Sequence, residues 1–277
     1  MSFSTDPKQN YYIQSSIVEM REHPTQQSKV VSQAIFSEKI QVLKKDGEWV
    51  YIVTPDHYAG WIPSTSFISR QTLYETTHQT SRLAAHLYGL KDIEYGPLQT
   101  LPYGARLQIL DSSDARWLAV SLPNNREGFI QKGDVEPFFK LHNKADLIPF
   151  SQQFIGLPYT WGGRSSFGYD CSGFIQMLYQ QIGIYLQRDS HQQASDLRFL
   201  NIDLDDLQPG DLLFFGNTRQ EIKHVGMHIN DGSFIHATSR ENQPWIRISH
   251  LSDFEWSGHQ DAAYPYRIGR QYIQESI

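Results

Sequence analysis

The sequence predicts an α+β chain: two small β-barrels, then a larger unit made of a helical half followed by an antiparallel sheet. Three observations carry this. From residue 17 to residue 138, short apolar runs alternate with turn residues, the pattern of small barrels. That pattern occurs twice over. After Pro158 the apolar period becomes that of a helix, and from Leu212 onward it returns to that of strands.

In chain order, residues 1–16 are mostly polar and are expected to form an extended arm. A first module covers 17–72, with strands at 40–43, 49–53 and 58–63 and a turn at Lys44, Lys45, Asp46 and Gly47. A second module covers 80–140. Leu107, Gln108, Ile109 and Leu110 answer Ile40, Gln41, Val42 and Leu43, while Trp117 answers Trp49 and Gly128 answers Gly60. Gly60 follows Trp49 by 11 residues, Gly128 follows Trp117 by 11, and these two pairs are offset by 68. A fixed spacing of this kind marks an internal duplication.

The third unit is expected over 148–277. A helix near 148–155 ends at Gly156. The next begins at Cys171, with Phe174, Ile175, Leu178, Tyr179 and Ile182 three, four, seven, eight and eleven positions on, and Gly183 stops it. That series predicts one buried stripe. A short helix follows, with Ser190 as N-cap and Gln193 completing a capping box. Strands are expected at 212–215, 223–229, 233–238, 246–248 and 266–268, with Asn230, Asp231 and Gly232 as a hairpin turn.

Composition narrows the function. The 277 residues carry 24 basic and 30 acidic side chains, a formal charge of −6, which argues against nucleic acid as a partner. With one cysteine no internal disulfide forms. No apolar run approaches the roughly 18 residues of a membrane span, so no membrane insertion is expected. The N-terminal residues have neither a basic region nor an apolar core. The expectation is a cytoplasmic monomer, or a periplasmic or secreted protein if a leader has been removed.

Cys171 carries the chemistry. Placed in the first turn of a helix, its sulfur faces free backbone N–H groups and a positive dipole end, which predicts a lowered pKa and a usable nucleophile. The bland alternative is a small buried hydrophobe. Two histidines weigh against it: His224 on one strand and His236 on the next, across the hairpin. Whether they share a face depends on register, which alternation alone leaves open. His224 and His228 invite a zinc reading, but on a strand four residues span about 13 Å. No metal or other cofactor is expected.

Two resemblances follow. Each β module, with its strand Trp and its Gly-aromatic-Ile hairpin, resembles a bacterial SH3-like domain. Six ordered motifs resemble the NlpC family of cysteine peptidases, which has a papain-like fold: Tyr159 to Gly163, Asp170 to Gly173, Arg188 to Ser190, Pro209 to Asp211, His224 to Gly226, and Ile235 with His236. The resemblance implies Cys171 as nucleophile, His224 as base and His236 as its orienter. It puts Tyr159 beside the thiolate. Relatives with two SH3-like domains resemble γ-D-glutamyl-L-diamino acid endopeptidases, which cut murein peptides bearing a free N-terminal L-alanine. Asp170 and Ser172 would then bind the alanine amine, with Tyr58 of the first module a further candidate. The alternative for Asp170 is a helix cap alone, and Arg188 and Asp189 read as a local ion pair. Competing readings are a peptidoglycan-binding protein with a non-hydrolytic papain-like unit, and a papain-like amidase acting on another acyl group.

Overall fold

The computed structural model describes residues 9–138, 143–257 and 264–273. Contacts among them divide the chain into two compact units, Met1–Lys140 with Arg164–Phe167, and Leu141–Gly163 with Gly168–Ile277.

In the first unit the alternation of apolar and polar residues builds two sheets of seven strands. One holds β1 (Asn10–Ile13), β2 (Ile17–Arg21), β3 (Val30–Ile35), β4 (Lys39–Asp46), β5 (Trp49–Val53), β6 (Ala59–Pro63) and β7 (Phe67–Arg70), in the order β3-β2-β6-β5-β4-β1-β7. The other holds β8 (His78–Thr80), β9 (Ala84–Tyr88), β10 (Gln99–Pro102), β11 (Arg106–Asp111), β12 (Trp117–Ser121), β13 (Glu127–Gln131) and β14 (Val135–Pro137), in the order β10-β9-β13-β12-β11-β8-β14. Strand for strand the two orders are the same. The duplication extends to an irregularity: β4 slips register between Val42 and Lys44 against β5, and β11 slips between Ile109 and Asp111 against β12. Each copy therefore carries one bulged leucine, Leu43 or Leu110, at the same place.

Two expectations change here. Residues 10–13 are not part of an arm: they form β1, which pairs with β4 and β7 and buries Tyr12 and Ile13. Four residues after a polar stretch are too few for alternation to register. Nor are the two β modules separate bodies. Phe36, which follows β3, is buried within the second module's core with Leu87, Leu107, Val120 and Ile130. Ser37 Oγ donates to Arg106 O (2.6 Å), and Tyr74 Oη donates to Ser121 O (2.7 Å).

The second unit begins with α1 (Leu147–Gln152) and a turn through Gly156. The chain then forms β15 (Arg164–Ser165), which belongs with the first unit, and the second unit resumes with β16 (Gly168–Tyr169), α2 (Cys171–Gln180) and α3 (Ser190–Ala194). Its sheet comprises β17 (Phe199–Ile202), β18 (Leu212–Gly216), β19 (Ile222–Asn230), β20 (Ser233–Thr238), β21 (Trp245–His250) and β22 (Tyr266–Tyr272), antiparallel in the order β17-β22-β18-β19-β20-β21. All five residues of β18 are buried, as befits a strand with neighbours on both edges and covered faces.

α2 corrects the single-stripe expectation. Every residue from Cys171 to Tyr179 is buried, so the helix has no solvent face over its first nine positions. Its polar members survive burial by bonding: Gln176 Nε2 donates to Leu186 O (3.0 Å) and Tyr179 Oη to Gly210 O (2.6 Å). The helix ends at Gln180, and Gly183, at φ 79°, closes the turn that follows. For α3 the cap lies one residue earlier than the sequence suggested. Asp189 is the N-cap, and its N–H donates to Gln192 Oε1 (3.1 Å).

Candidate active site

Backbone packing fixes where Cys171 sits. Asp170 N–H donates to Gly163 O (3.0 Å), which ties the start of α2 to the Trp161-Gly162-Gly163 turn. The approach is so close that a Cβ on Gly173 would lie 2.1 Å from Gly163 O, and one on Gly163 would lie 2.2 Å from Gly168 O. Only hydrogen fits at either place. Asp170 caps the helix, its Oδ1 accepting from Gly173 N–H at 2.8 Å.

The sulfur is 8 % exposed. Burial pushes its pKa up to about 12, and the Asp170 carboxylate pushes in the same direction. Hydrogen bonds from the backbone N–H of Val225 and Ser172, and the Arg188 charge, only partly oppose this. The expectation of a lowered thiol pKa is overturned for two physical reasons: burial takes the sulfur out of water, and, second to that, the carboxylate that caps α2 sits at the same helix end whose positive field was to stabilise a thiolate. The Val225 contact also locates the sulfur. It lies against β19 at the residue following His224.

The histidines share a face. His224 Nε2 and His236 Nδ1 are 2.7 Å apart, and His236 Nε2 is 3.0 Å from Ser249 Oγ on β21. Register explains the pairing. Met227 lies opposite Ile235, so His224 and His236 are diagonal neighbours on one side of the β19-β20 ladder. Gly226 makes room, since a Cβ there would come within 2.6 Å of the Phe234 ring and 3.3 Å of His236 Cβ. With Nε2 of His224 engaged by His236, Nδ1 is the ring nitrogen left for the thiol.

Both imidazoles are held neutral. Burial lowers His224 to about 3, helped by the charges of Arg240 and Arg247. Burial also drives His236 well below its usual value, with His224 and Arg247 adding to the effect. Trp256 supplies much of that cover. It is fully buried, lies 5.0 Å from the His224 ring at 30° and 4.7 Å from the His236 ring at 86°, and stacks on Tyr264 at 6.2 Å and 15°. The Arg240 guanidinium covers Tyr264 at 4.0 Å.

Asp170 is more than a cap. Arg188, 1 % exposed, donates through Nη1 to Asp170 Oδ1 (3.0 Å) and to Ser172 Oγ (3.0 Å), and through Nη2 to Asp170 Oδ2 (2.5 Å). Arg188 thus pairs with Asp170 across 18 residues, not with its neighbour Asp189. Ser172 Oγ donates to Asp170 Oδ1 at 3.3 Å. Three donors fill Oδ1, while Oδ2 keeps lone-pair capacity.

The predicted residues Cys171, His224, His236, Asp170, Ser172 and Tyr159 come together in the second unit. The charges of Cys171 and Asp170 raise the Tyr159 phenol above its ordinary pKa, behind burial as the main cause. Tyr58 belongs to the first unit, half-buried against its own barrel core of Ile13, Val50 and Ile62. His228 turns to the Gln208 carbonyl at 3.1 Å, and among the described residues no group of three His, Cys, Asp or Glu side chains could hold a metal ion. Ser249 and Trp256 were missed. Ser249 is out of phase with Ile246 and Ile248 on β21, so by alternation it reads as an ordinary polar residue, although it is buried. Trp256 follows β21 in a stretch with no motif.

A helix-borne cysteine, an imidazole from the facing antiparallel sheet and a second polar group behind that imidazole define a papain-like cysteine peptidase. Residues 156–263 match the NlpC/P60 family, and residues 17–69 match the bacterial SH3 domain. The gamma-D-glutamyl-L-lysine dipeptidyl-peptidase of Bacillus cereus is 32 % identical over 237 residues, covering 78 % of this chain and 70 % of that protein. Its Bacillus subtilis counterpart is 33 % identical over 224 residues, covering 75 % and 72 %. A crystal structure of an NlpC/P60 family protein from Bacillus cereus superposes with a TM-score of 0.83 at 25 % identity, over 96 % of this chain and 100 % of that one. This chain belongs to the NlpC/P60 family.

Proposed function

We propose that the protein hydrolyses the bond between γ-D-glutamate and a diamino acid in murein peptides that begin with a free L-alanine, releasing the dipeptide. The observation that carries this reading is the flanking of the nucleophile position by Asp170 and Ser172, both within reach of Arg188. An ammonium needs acceptors, and Asp170 Oδ2 together with Ser172 Oγ retain them. The gamma-D-glutamyl-L-lysine dipeptidyl-peptidases similar to this chain support the same substrate class.

In this reading His224 Nδ1 takes the Cys171 proton as sulfur attacks the γ-glutamyl carbonyl. Because burial favours the neutral thiol and the neutral imidazole, proton transfer accompanies attack instead of preceding it. The carbon–nitrogen bond breaks, and His224 returns the proton to the departing amine. Water then hydrolyses the thioester, with the same imidazole as base. The backbone N–H of Cys171, at a helix N-terminus, is the oxyanion donor. His236 orients His224, and Tyr159 lines the thiol side.

The test is to incubate L-Ala-γ-D-Glu-L-Lys and the diaminopimelate tripeptide with the protein and assay free diamino acid. Cys171→Ala abolishes release. Acetylating the alanine amine raises KM severely. Equal cleavage of acetylated peptide would remove the amine-reading claim, and activity in Cys171→Ala would remove the nucleophile.

A further inference from the structure

We propose that Ser249 is a positioning residue that sets the direction of the hydrogen-bond chain behind His224. The proposal rests on the reading of Cys171 and His224 as the thiol–imidazole pair. The chain runs from His224 Nε2 to His236 Nδ1 (2.7 Å), and from His236 Nε2 to Ser249 Oγ (3.0 Å). His236 is completely buried and Ser249 nearly so. Among the described residues, His236 is the one hydrogen-bond partner of the Ser249 hydroxyl.

Two neutral imidazoles in series can point their protons in two ways. In the first, Ser249 donates to His236 Nε2, His236 Nδ1–H donates to His224 Nε2, and His224 carries its proton on Nδ1. That nitrogen then has no lone pair with which to take the thiol proton. In the second, His236 Nε2–H donates to Ser249 Oγ, His236 Nδ1 accepts from His224 Nε2–H, and His224 Nδ1 is free to act as base. Once His224 holds two protons, only the second direction leaves an acceptor for its Nε2–H. Productive proton transfer therefore requires Ser249 to accept. A hydroxyl is suited to this, because it rotates to accept or donate without moving a heavy atom.

Among the described residues, His236 Nε2 has no other hydrogen-bond partner. The charged groups acting on the pair are Arg240 and Arg247, both cationic. Trp256 covers the rings with a donor-only indole, and its Nε1–H has no partner. Remove the Ser249 oxygen and a buried His236 Nε2–H loses its one acceptor among the described residues. The cheaper arrangement then moves that proton to Nδ1, which turns His224 to the idle tautomer.

The experiment reads tautomers directly. Imidazole nitrogen-15 NMR of the wild-type protein at pH 7 is expected to show both His236 and His224 protonated at Nε2. A resting His236 protonated at Nδ1 overturns the proposal, with no variant needed. Ser249→Ala is expected to shift His236 toward Nδ1–H. It lowers both kcat and the rate of Cys171 alkylation by iodoacetamide about ten- to a hundred-fold, with KM unchanged. Ser249→Thr, which keeps the oxygen, recovers most of that loss. Equal impairment of the Ala and Thr variants, or an unshifted tautomer in a slow Ser249→Ala protein, would mean that Ser249 only fills space. An inactive Cys171→Ala alongside an unimpaired Ser249→Ala would refute this inference and leave the thiol reading intact.

Discussion

At the residue scale, the site spends folding free energy to keep two imidazoles dry. An unfolded histidine takes up a proton below about 6.5, whereas His224 in the folded protein stays neutral down to about 3, and His236 is depressed in the same direction. Between those values the unfolded chain binds more protons. Stability is therefore fully present above pH 6.5 and is lost as pH falls, by up to about 1.4 kcal/mol per pH unit for each histidine. Cys171 works from the other side. Its thiol keeps its proton to about 12 against an ordinary value of 9.0, so stability drains as pH rises between them. Thermal melts from pH 7 to pH 4.5 should show a falling Tm in the wild type and a shallower fall in His236→Gln, which has one fewer buried group to protonate. Parallel slopes for the two proteins would contradict the assignment. The buried Arg188 offsets the Asp170 charge, so neither ion is left uncompensated among hydrocarbon.

At the element scale, the helix that presents the thiol is set by glycine more than by its hydrophobic pattern. The Trp161-Gly162-Gly163 turn and the start of α2 touch through backbone. An alanine methyl at 173 would stand 2.1 Å from Gly163 O and 3.2 Å from Gly163 C, backbone atoms that cannot swing aside as a side-chain end would. Gly173→Ala is expected to cost at least the roughly 1–3 kcal/mol typical of overpacking and to lower kcat by displacing the sulfur from β19. Gly133→Ala is the control. It meets no atom within 4 Å and has an ordinary φ, so its stability should change little or improve slightly. If both substitutions behaved alike in melts and kinetics, the close approach would not be what seats α2. The glycines also show what was legible. Gly163 and Gly173 stood out because they flank Trp161 and Cys171, and the placing of His224 and His236 on neighbouring strands followed from an Asn-Asp-Gly hairpin. Register, cover and charge partners were not legible. The sum of residue numbers that makes two histidines diagonal neighbours, the burial that raises the thiol, and the pairing of Arg188 with Asp170 across 18 residues are all products of tertiary packing.

At the scale of the whole molecule, the duplicated modules raise the question of whether they fold independently. Sequence repetition suggests that they do, because each copy carries the same strands, the same bulge and its own run of core residues. The Phe36 side chain argues otherwise. It is only 2 % exposed, and its neighbours Ala85, Leu87, Leu101, Leu107 and Ile130 all belong to the other copy, so the second core is incomplete without a residue from the first. The link is reinforced by Ser37 Oγ donating to Arg106 O and by Tyr74 Oη donating to Ser121 O in a buried setting. Truncating a buried phenylalanine costs about 3–5 kcal/mol through lost transfer free energy and the cavity left behind. Because this cavity would open in module two while the altered residue sits in module one, Phe36→Ala should lower the stability of both. Hydrogen exchange followed by mass spectrometry separates the outcomes. Protection should fall together in peptides from β5 and from β12, where Val50, Ile52, Leu118 and Val120 lie buried. Loss confined to β12 would show two barrels that share a residue but open separately, and loss confined to β5 would remove Phe36 from the second core altogether.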